Sequence, residues 1–161
     1  MKKGFLFLIL LGFVSCESTK KTTTSTKREV TEVHSKKTVA VALSQVNTAQ
    51  KNRAYELGKR VLMTCNTSQF KPFTAAEATP EVLQKINREK ISMTCHQIQR
   101  GFGTFNDMTL KQVWRDEKKD LTIYRFVCDY EKKYRTKEMR VIMNDKNQVT
   151  AISTQDWKEE F

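Results

Sequence analysis

Histidine is scarce in this chain, and the sequence contains none of the spacings that are typical of a catalytic or metal site. The 161 residues include two histidines, His34 and His96. The cysteines show no Cys-x-x-Cys spacing of the kind that holds zinc. The sequence also has no glycine-rich phosphate loop and no Ser-His-Asp order. We therefore expect no catalytic residue, no metal ligand and no cofactor.

His96 directly follows Cys95, which suggests a thiol nucleophile beside its base. Neighbouring residues of a helix point about 100° apart, so these two side chains cannot face each other. The pair therefore does not predict a catalytic dyad.

A long apolar run is also missing. The apolar run at residues 4–14 has eleven residues, whereas a membrane-spanning helix needs about 20. Lys2 and Lys3 precede this run and Ser15 and Cys16 follow it. That order is typical of a signal peptide with its cleavage site.

This N-terminus resembles bacterial lipoprotein signal peptides, in which the residue after the cut is a cysteine that becomes acylated. Phe13 stands where that family usually has leucine. The resemblance implies that residues 1–15 are removed, that Cys16 carries lipid, and that the protein is anchored in the cell envelope, facing the periplasm or the exterior. An ordinary secretory signal or an uncleaved anchor is the alternative.

Acidic residues are fewer than basic ones, 18 against 29, and the formal net charge is +11. A basic cytosolic chain often binds nucleic acid, but an exported one meets anionic lipid headgroups, lipopolysaccharide phosphates and wall polymers instead. No arginine-rich run or glycine-aromatic RNA-binding motif is present. We expect membrane contact through the N-terminal lipid and no nucleic-acid partner.

Residues 16–43 contain no aromatic residue and few large apolar ones. Such a segment cannot offset the entropy lost on ordering, so we expect a lipidated cysteine followed by a flexible polar tether. Residues 39–43 are more apolar. They either dock on the domain as a short extended piece or belong to the tether.

Residues 44–161 are predicted to form one domain that begins with helices. Gly58 lies inside the first helix and suggests close approach by another element. Thr79, Pro80 and Glu81 are typical of a helix start, and this second helix should run to about Arg100. The first helix is predicted from apolar residues at three- and four-residue intervals, namely Ala54, Leu57, Val61, Leu62 and Cys65.

Beyond Asp107 the apolar period changes to two. It predicts four strands, at residues 109–116, 121–131, 134–143 and 148–154, whose short connectors favour an antiparallel meander. The second of these should be central, because it is apolar on both faces. Trp157 is expected to pack on the edge of the sheet.

Helices followed by a meander are typical of α+β domains. The helix order, residues 101–105 (Gly-Phe-Gly-Thr-Phe) and the strand pair at residues 124–131 and 140–152 resemble cystatin-like domains of the nuclear-transport-factor-like superfamily, which occur in many bacterial lipoproteins. The resemblance covers residues 49–154. It implies two main helices on a curved four-stranded sheet, with ligands bound between the helices and the concave sheet.

Trp114, Tyr124 and Phe126 are candidates to line such a cavity, with core packing as the alternative. The predicted function is a non-catalytic envelope module that binds a small ligand or a protein partner. One alternative is a small enzyme of the same fold that uses a buried polar residue in the cavity. Another is a structural protein that contacts lipopolysaccharide or cell wall through lysine and arginine.

Three cysteines remain once Cys16 is assigned to lipid: Cys65, Cys95 and Cys128. In an oxidising envelope they allow one intramolecular disulfide and one free thiol, and sequence does not rank the three pairings. The alternative is that all three are small buried core residues.

Overall fold

The structure, a computed structural model, describes residues 38–161. The predicted signal peptide, the predicted acylation site Cys16 and the predicted tether up to residue 37 lie outside these residues. Within the described range, no helix is both long enough and apolar enough to span a bilayer.

The described chain is α+β, with a five-stranded antiparallel sheet and three α-helices. A short 3-10 turn at Leu43–Gln45 follows the first strand. The elements in chain order are β1 (Thr38–Val41), α1 (Thr48–Thr67), α2 (Pro80–Lys85), α3 (Arg88–Phe102), β2 (Phe105–Asp116), β3 (Leu121–Tyr130), β4 (Lys137–Asn144) and β5 (Val149–Asp156).

The sheet has one strand more than the sequence predicts. The strands lie in the order β1-β2-β3-β4-β5, and β3 is the central strand, as its two apolar faces indicate. The additional strand β1 pairs antiparallel with β2 from Thr38 opposite Asp116 to Val41 opposite Val113. It overlaps the apolar residues 39–43, so the folded domain begins earlier than residue 44. The four-strand prediction was wrong because β1 is too short to show a period of its own.

Helix α1 packs across one face of the sheet, which we call the helix face. Its buried residues include Ala54, Leu57 and Leu62. Gly58 allows the close approach that the sequence suggests, because a Cβ at this position would lie 3.0 Å from Met108 and 3.2 Å from Val141. The long helix can therefore lie directly on β2 and β4.

The predicted second helix is interrupted and forms a short helix α2 and a longer helix α3, so two main helices and one short helix are present. Helix α2 ends at Lys85, and Ile86 adopts an extended conformation. Asn87 then starts α3 by accepting a 3.0 Å hydrogen bond from the Lys90 amide, the capping role that asparagine favours. Ile86, which lies in this break, is partly buried against the core.

A disulfide joins Cys65 of α1 to Cys95 of α3. Cys128 remains a buried free thiol on β3. Closing a loop of this size typically stabilises a domain by about 2 to 4 kcal/mol. The bond matters for α3 in particular, because this helix buries only Ile91, Ile98 and Phe102.

The opposite face of the sheet, the outer face, is covered by the C-terminal segment, residues 157–161. Phe161 stacks on Trp114 with ring centroids 4.7 Å apart. The Arg125 guanidinium lies 4.4 Å from the centre of the Trp157 ring. Trp157 therefore packs over the outer face rather than against the edge of the sheet.

Arg125 and Glu138 form an ion pair beneath this segment, and both side chains are fully buried. The pair is bidentate, at 2.9 and 2.7 Å. Arg125 also donates to the Lys158 carbonyl at 2.6 Å and to the Gln112 side chain. A second arginine, Arg140, donates to Glu138 at 2.8 Å. These bonds tie β2, β3, β4 and the C-terminal segment into one network.

We predict that Glu138→Gln lowers the free energy of unfolding by about 3 to 5 kcal/mol, because it leaves a buried guanidinium without its counter-ion. Asp156→Asn is the matched control, since the carboxylate of Asp156 is exposed and its ion pairs with Arg135 and Lys137 should contribute at most about 1 kcal/mol. Urea denaturation followed by circular dichroism measures both.

A double variant, Arg125→Met with Glu138→Leu, should recover most of the stability lost in Glu138→Gln. If Glu138→Gln were as stable as Asp156→Asn, the buried pair would not have the structural role assigned to it.

Candidate functional site

An apolar groove lies on the helix face between α1, α3 and the β4–β5 edge of the sheet. Its volume is about 230 Å³. We call it the helix–sheet groove. Its walls are formed mainly by aliphatic and sulfur-containing side chains: Val61, Leu62, Cys65, Ile86, Ile91, Cys95, Ile98, Met139 and Ile152.

Polar groups are confined to a few positions of this groove. Lys85 and Lys90 contribute two ammonium groups, one from the end of α2 and one from the first turn of α3. Thr94, Ser153 and Thr154 contribute hydroxyls. An apolar cleft with a few polar groups is the usual form of a small-molecule site, although 230 Å³ is below the range of about 300–1,000 Å³ for drug-sized ligands. The groove therefore suits a slender apolar chain with an acidic or polar end.

The Cys65–Cys95 disulfide forms part of the groove wall. A second cavity, of about 260 Å³, lies on the other side of the same cysteines and includes Arg88 and His96. Because Cys95 is bonded to Cys65, it holds no thiol that His96 could activate.

The structure does not bring Trp114, Tyr124 and Phe126 together. Tyr124 and Phe126 point to the helix face, whereas Trp114 lies on the outer face, paired with Ile123 in the neighbouring strand. A β-bulge between Leu110 and Gln112 is the cause, because the extra residue inverts the alternation in the second half of β2. None of the three lines the helix–sheet groove.

Phe126 is 1% exposed and packs in the core. Tyr124 borders a shallow polar cavity of about 360 Å³ near the start of α1. Its hydroxyl donates a 2.8 Å hydrogen bond to the Gln50 side chain, and Gln50 in turn donates to Asn144 and Asn147. Burial raises the pKa of Tyr124 to about 12. This network holds α1 to the β4–β5 turn and presents no reactive group.

Glu138 is the buried carboxylate of the described domain. Burial by itself would raise the pKa of Glu138, but the hydrogen bonds from Arg125 and Arg140 outweigh that effect and lower the pKa. The carboxylate lies on the outer face and does not line the groove. It is therefore ionised, saturated with donors and separated from the helix face by the sheet.

The Cys128 thiol lies on the helix face, and burial raises its pKa to about 12. A thiol with that pKa stays protonated at neutral pH and is a poor nucleophile. Across residues 38–161, no three His, Cys, Asp or Glu side chains are grouped so that they could hold a metal ion.

Lys85 and Lys90 are the charged residues of the groove, and neither was predicted from the sequence as a functional residue. A charged residue near a helix end does not by itself indicate a binding site, because charged residues are common on solvated surfaces. Lys90 interrupts the apolar stripe of α3, and that interruption was the available signal.

Comparison of the chain with protein-family models, with curated proteins and with solved structures gives no match.

A half-buried ion pair holds the segment between α1 and α2 against α1. Arg60 donates to both carboxylate oxygens of Glu77, at 3.1 and 2.9 Å. Glu77 also accepts from the Thr74 amide at 2.9 Å. The hydrogen bonds from Arg60 lower the pKa of Glu77 from 4.5 to about 2. The segment that leads into α2 is therefore fixed by an ionised carboxylate.

We predict that Glu77→Gln lowers the free energy of unfolding by about 1 to 2 kcal/mol at neutral pH. A depressed pKa in the folded state means that the carboxylate stabilises the fold above about pH 4.5 and loses this effect as the pH falls toward 2. The stability difference between wild type and variant should shrink over that interval.

Urea denaturation at several pH values measures this difference. Glu56→Gln, which removes an exposed carboxylate of α1, is the matched control. A difference that stayed constant from neutral pH to pH 2 would contradict the role given to Glu77.

Proposed function

We propose that the chain is an envelope lipoprotein, anchored through an acylated Cys16, whose domain is a non-catalytic module that binds an apolar ligand in the helix–sheet groove. The anchor is supported by the order of Lys2, Lys3, the apolar residues 4–14 and Ser15 before the cysteine. More than one acyl chain on Cys16 would make the attachment stable, because a single chain holds only marginally.

We further propose that the domain has a cystatin-like architecture. Its support is the topology: one strand, then the long helix α1 followed by α2 and α3, then four more strands in a meander with the sheet order β1-β2-β3-β4-β5. The helices lie on one face of the sheet, so ligands of such a domain would enter on the helix face.

The observation that carries the binding proposal is the apolar lining of the groove. Most of its wall is aliphatic, whereas the core beside it is filled by residues that do not line the groove, such as Ala54, Val141 and Met143, each no more than 1% exposed. A cleft of this kind gains free energy when apolar ligand surface leaves water, at about 25 cal/mol per Å². The lysines Lys85 and Lys90 favour a ligand with an anionic end.

The non-catalytic part of the proposal is supported by the state of the buried groups. Glu138 is held ionised by two arginines, and the pKa of the Cys128 thiol is raised by burial. Neither lines the groove. Catalytic acids and bases are instead expected in a cleft with a pKa near the operating pH.

We predict that mass spectrometry of the mature protein, isolated from the membranes of its host, finds residues 1–15 absent and Cys16 acylated. Cys16→Ser should move the protein from the membrane fraction to the soluble fraction, because the attachment depends on the lipid. Ser15→Ala keeps a small residue before the cut and is the matched control. An unmodified, uncleaved chain in the soluble extract would contradict the anchor.

We predict that Thr94→Phe weakens the binding of a fluorescent medium-chain fatty acid by about tenfold or more. Thr94 lines the groove from the exposed side of α3, so a phenyl ring there fills the space that the acyl chain needs. A fluorescence titration with the fatty acid measures the affinity.

Thr67→Phe is the matched control. Thr67 lies on α1 outside the groove, and its hydroxyl bonds to a backbone carbonyl four residues earlier, as that of Thr94 does. An equal loss of fatty-acid affinity in Thr94→Phe and Thr67→Phe, or no binding by the wild type, would contradict the proposed ligand site. A protein partner for the domain would then be the better interpretation.

A further inference from the structure

The connection between β3 and β4 carries the most exposed large apolar side chain of the described domain. Tyr134 lies at its tip and is 78% exposed. No ring contact or hydrogen bond fixes its side chain among those formed in residues 38–161. An aromatic ring left in water at a hairpin tip stabilises nothing in the fold.

Four cations and no acid lie within residues 132–137, which we call the basic hairpin, and the acid Glu131 directly precedes them. The cations are Lys132, Lys133, Arg135 and Lys137. Lys133 pairs with Asp129, and Arg135 and Lys137 share Asp156. Lys133 and Arg135 remain largely in water, so their pairs are worth little and these two cations can turn toward another anion. Lys137 is less exposed, and its ammonium lies 4.9 Å from the centre of the Phe102 ring.

A fifth cation, Arg100, lies beside the hairpin in the last turn of α3. Lys132 Nζ is 3.3 Å from the carbonyl of Arg100, near the end of α3. The positive surface therefore extends from the hairpin onto the helix. Lys132 is held by a backbone oxygen and keeps its full charge for a partner.

The two ends of the sheet differ in net charge and in exposed aromatic residues. The connection between β2 and β3, residues 117–120 at the opposite end, contains Lys118 and Lys119 but also Glu117 and Asp120. It presents no exposed aromatic residue. Excess positive charge and an exposed ring thus occur together at the hairpin end.

We propose that the basic hairpin is a contact site for an anionic lipid bilayer. Lysine and arginine bind the phosphates of the headgroups, each contributing attraction that falls off within a Debye length. Tyrosine belongs at the boundary of the bilayer, because its ring is apolar and its hydroxyl stays hydrated. This pairing of ring and charge fits a bilayer surface better than a soluble polyanion, which would leave the ring in water.

The contact would orient the domain. Thr38 pairs with Asp116, so the chain enters the sheet at the end opposite the hairpin. Residues 17–37 connect that point to Cys16 and could span at most about 70 Å, twice the roughly 34 Å of a ten-residue strand. The hairpin can therefore reach the membrane in which Cys16 is proposed to be anchored. The proposal itself does not depend on that lipid.

The test uses residues 16–161 with Cys16→Ser, which keep every described element and lack both the apolar segment and the lipid. Binding is measured by co-sedimentation with vesicles of phosphatidylcholine with or without phosphatidylglycerol. We expect binding to the anionic vesicles only, weakening as salt rises. Lys132→Ser with Lys133→Ser should weaken it about 25-fold, at about fivefold per cation, and Tyr134→Ser several-fold.

The matched control, Lys118→Ser with Lys119→Ser, removes two lysines at the other end of the sheet and should leave binding unchanged. Thermal unfolding of each variant shows that the fold is retained. Equal binding to neutral vesicles, no binding, or equal loss in the control would overturn the proposal. The proposal would also be overturned if Tyr134→Ser did not change vesicle binding and soluble inositol hexaphosphate fully competed with the vesicles. The site would then recognise phosphate in solution.

Discussion

The buried pairing of Arg125 with Glu138 is the constraint on which the sheet depends. A guanidinium with no exposure to water must keep its carboxylate, and this carboxylate comes from the neighbouring strand. A slip of β3 against β4 by one residue would send the two side chains to opposite faces. The same guanidinium holds the Lys158 carbonyl and the Trp157 ring. One interaction therefore fixes both the register of the central strands and the position of the C-terminal segment.

Sequence patterns predicted those elements whose signal is local. The alternation in residues 121–131 identified β3 as central, and Thr79 and Pro80 marked the start of α2. The sequence did not predict the helix break at Asn87, because the apolar stripe continues on both sides of it. The hydrogen bond from the Lys90 amide that caps α3 depends on backbone geometry, which the stripe does not show. Strand β1 was proposed only as a docked piece, because four residues gain their order from pairing with β2.

The candidate site was less predictable, for reasons that concern register and tertiary contact. Trp114 was assigned to the same cavity as Tyr124, but the bulge after Leu110 places it on the other face. Nothing in the sequence marks a bulge at this position. Arg125 and Glu138 are 13 residues apart, and each alone has the character of a surface residue. The groove depends on the position of α3 relative to α1 and the sheet. The Cys65–Cys95 disulfide helps to fix this position, and the spacing of the cysteines in the sequence does not show which two are bonded.

The two tryptophans of the chain, Trp114 and Trp157, both lie on the outer face. One stacks on a phenylalanine and the other lies against a guanidinium, and neither lines the helix–sheet groove. Intrinsic tryptophan emission should therefore follow detachment of the last five residues. The emission should change little when a ligand binds in the helix–sheet groove on the helix face. Tryptophan fluorescence therefore reports on the outer face of the sheet alone.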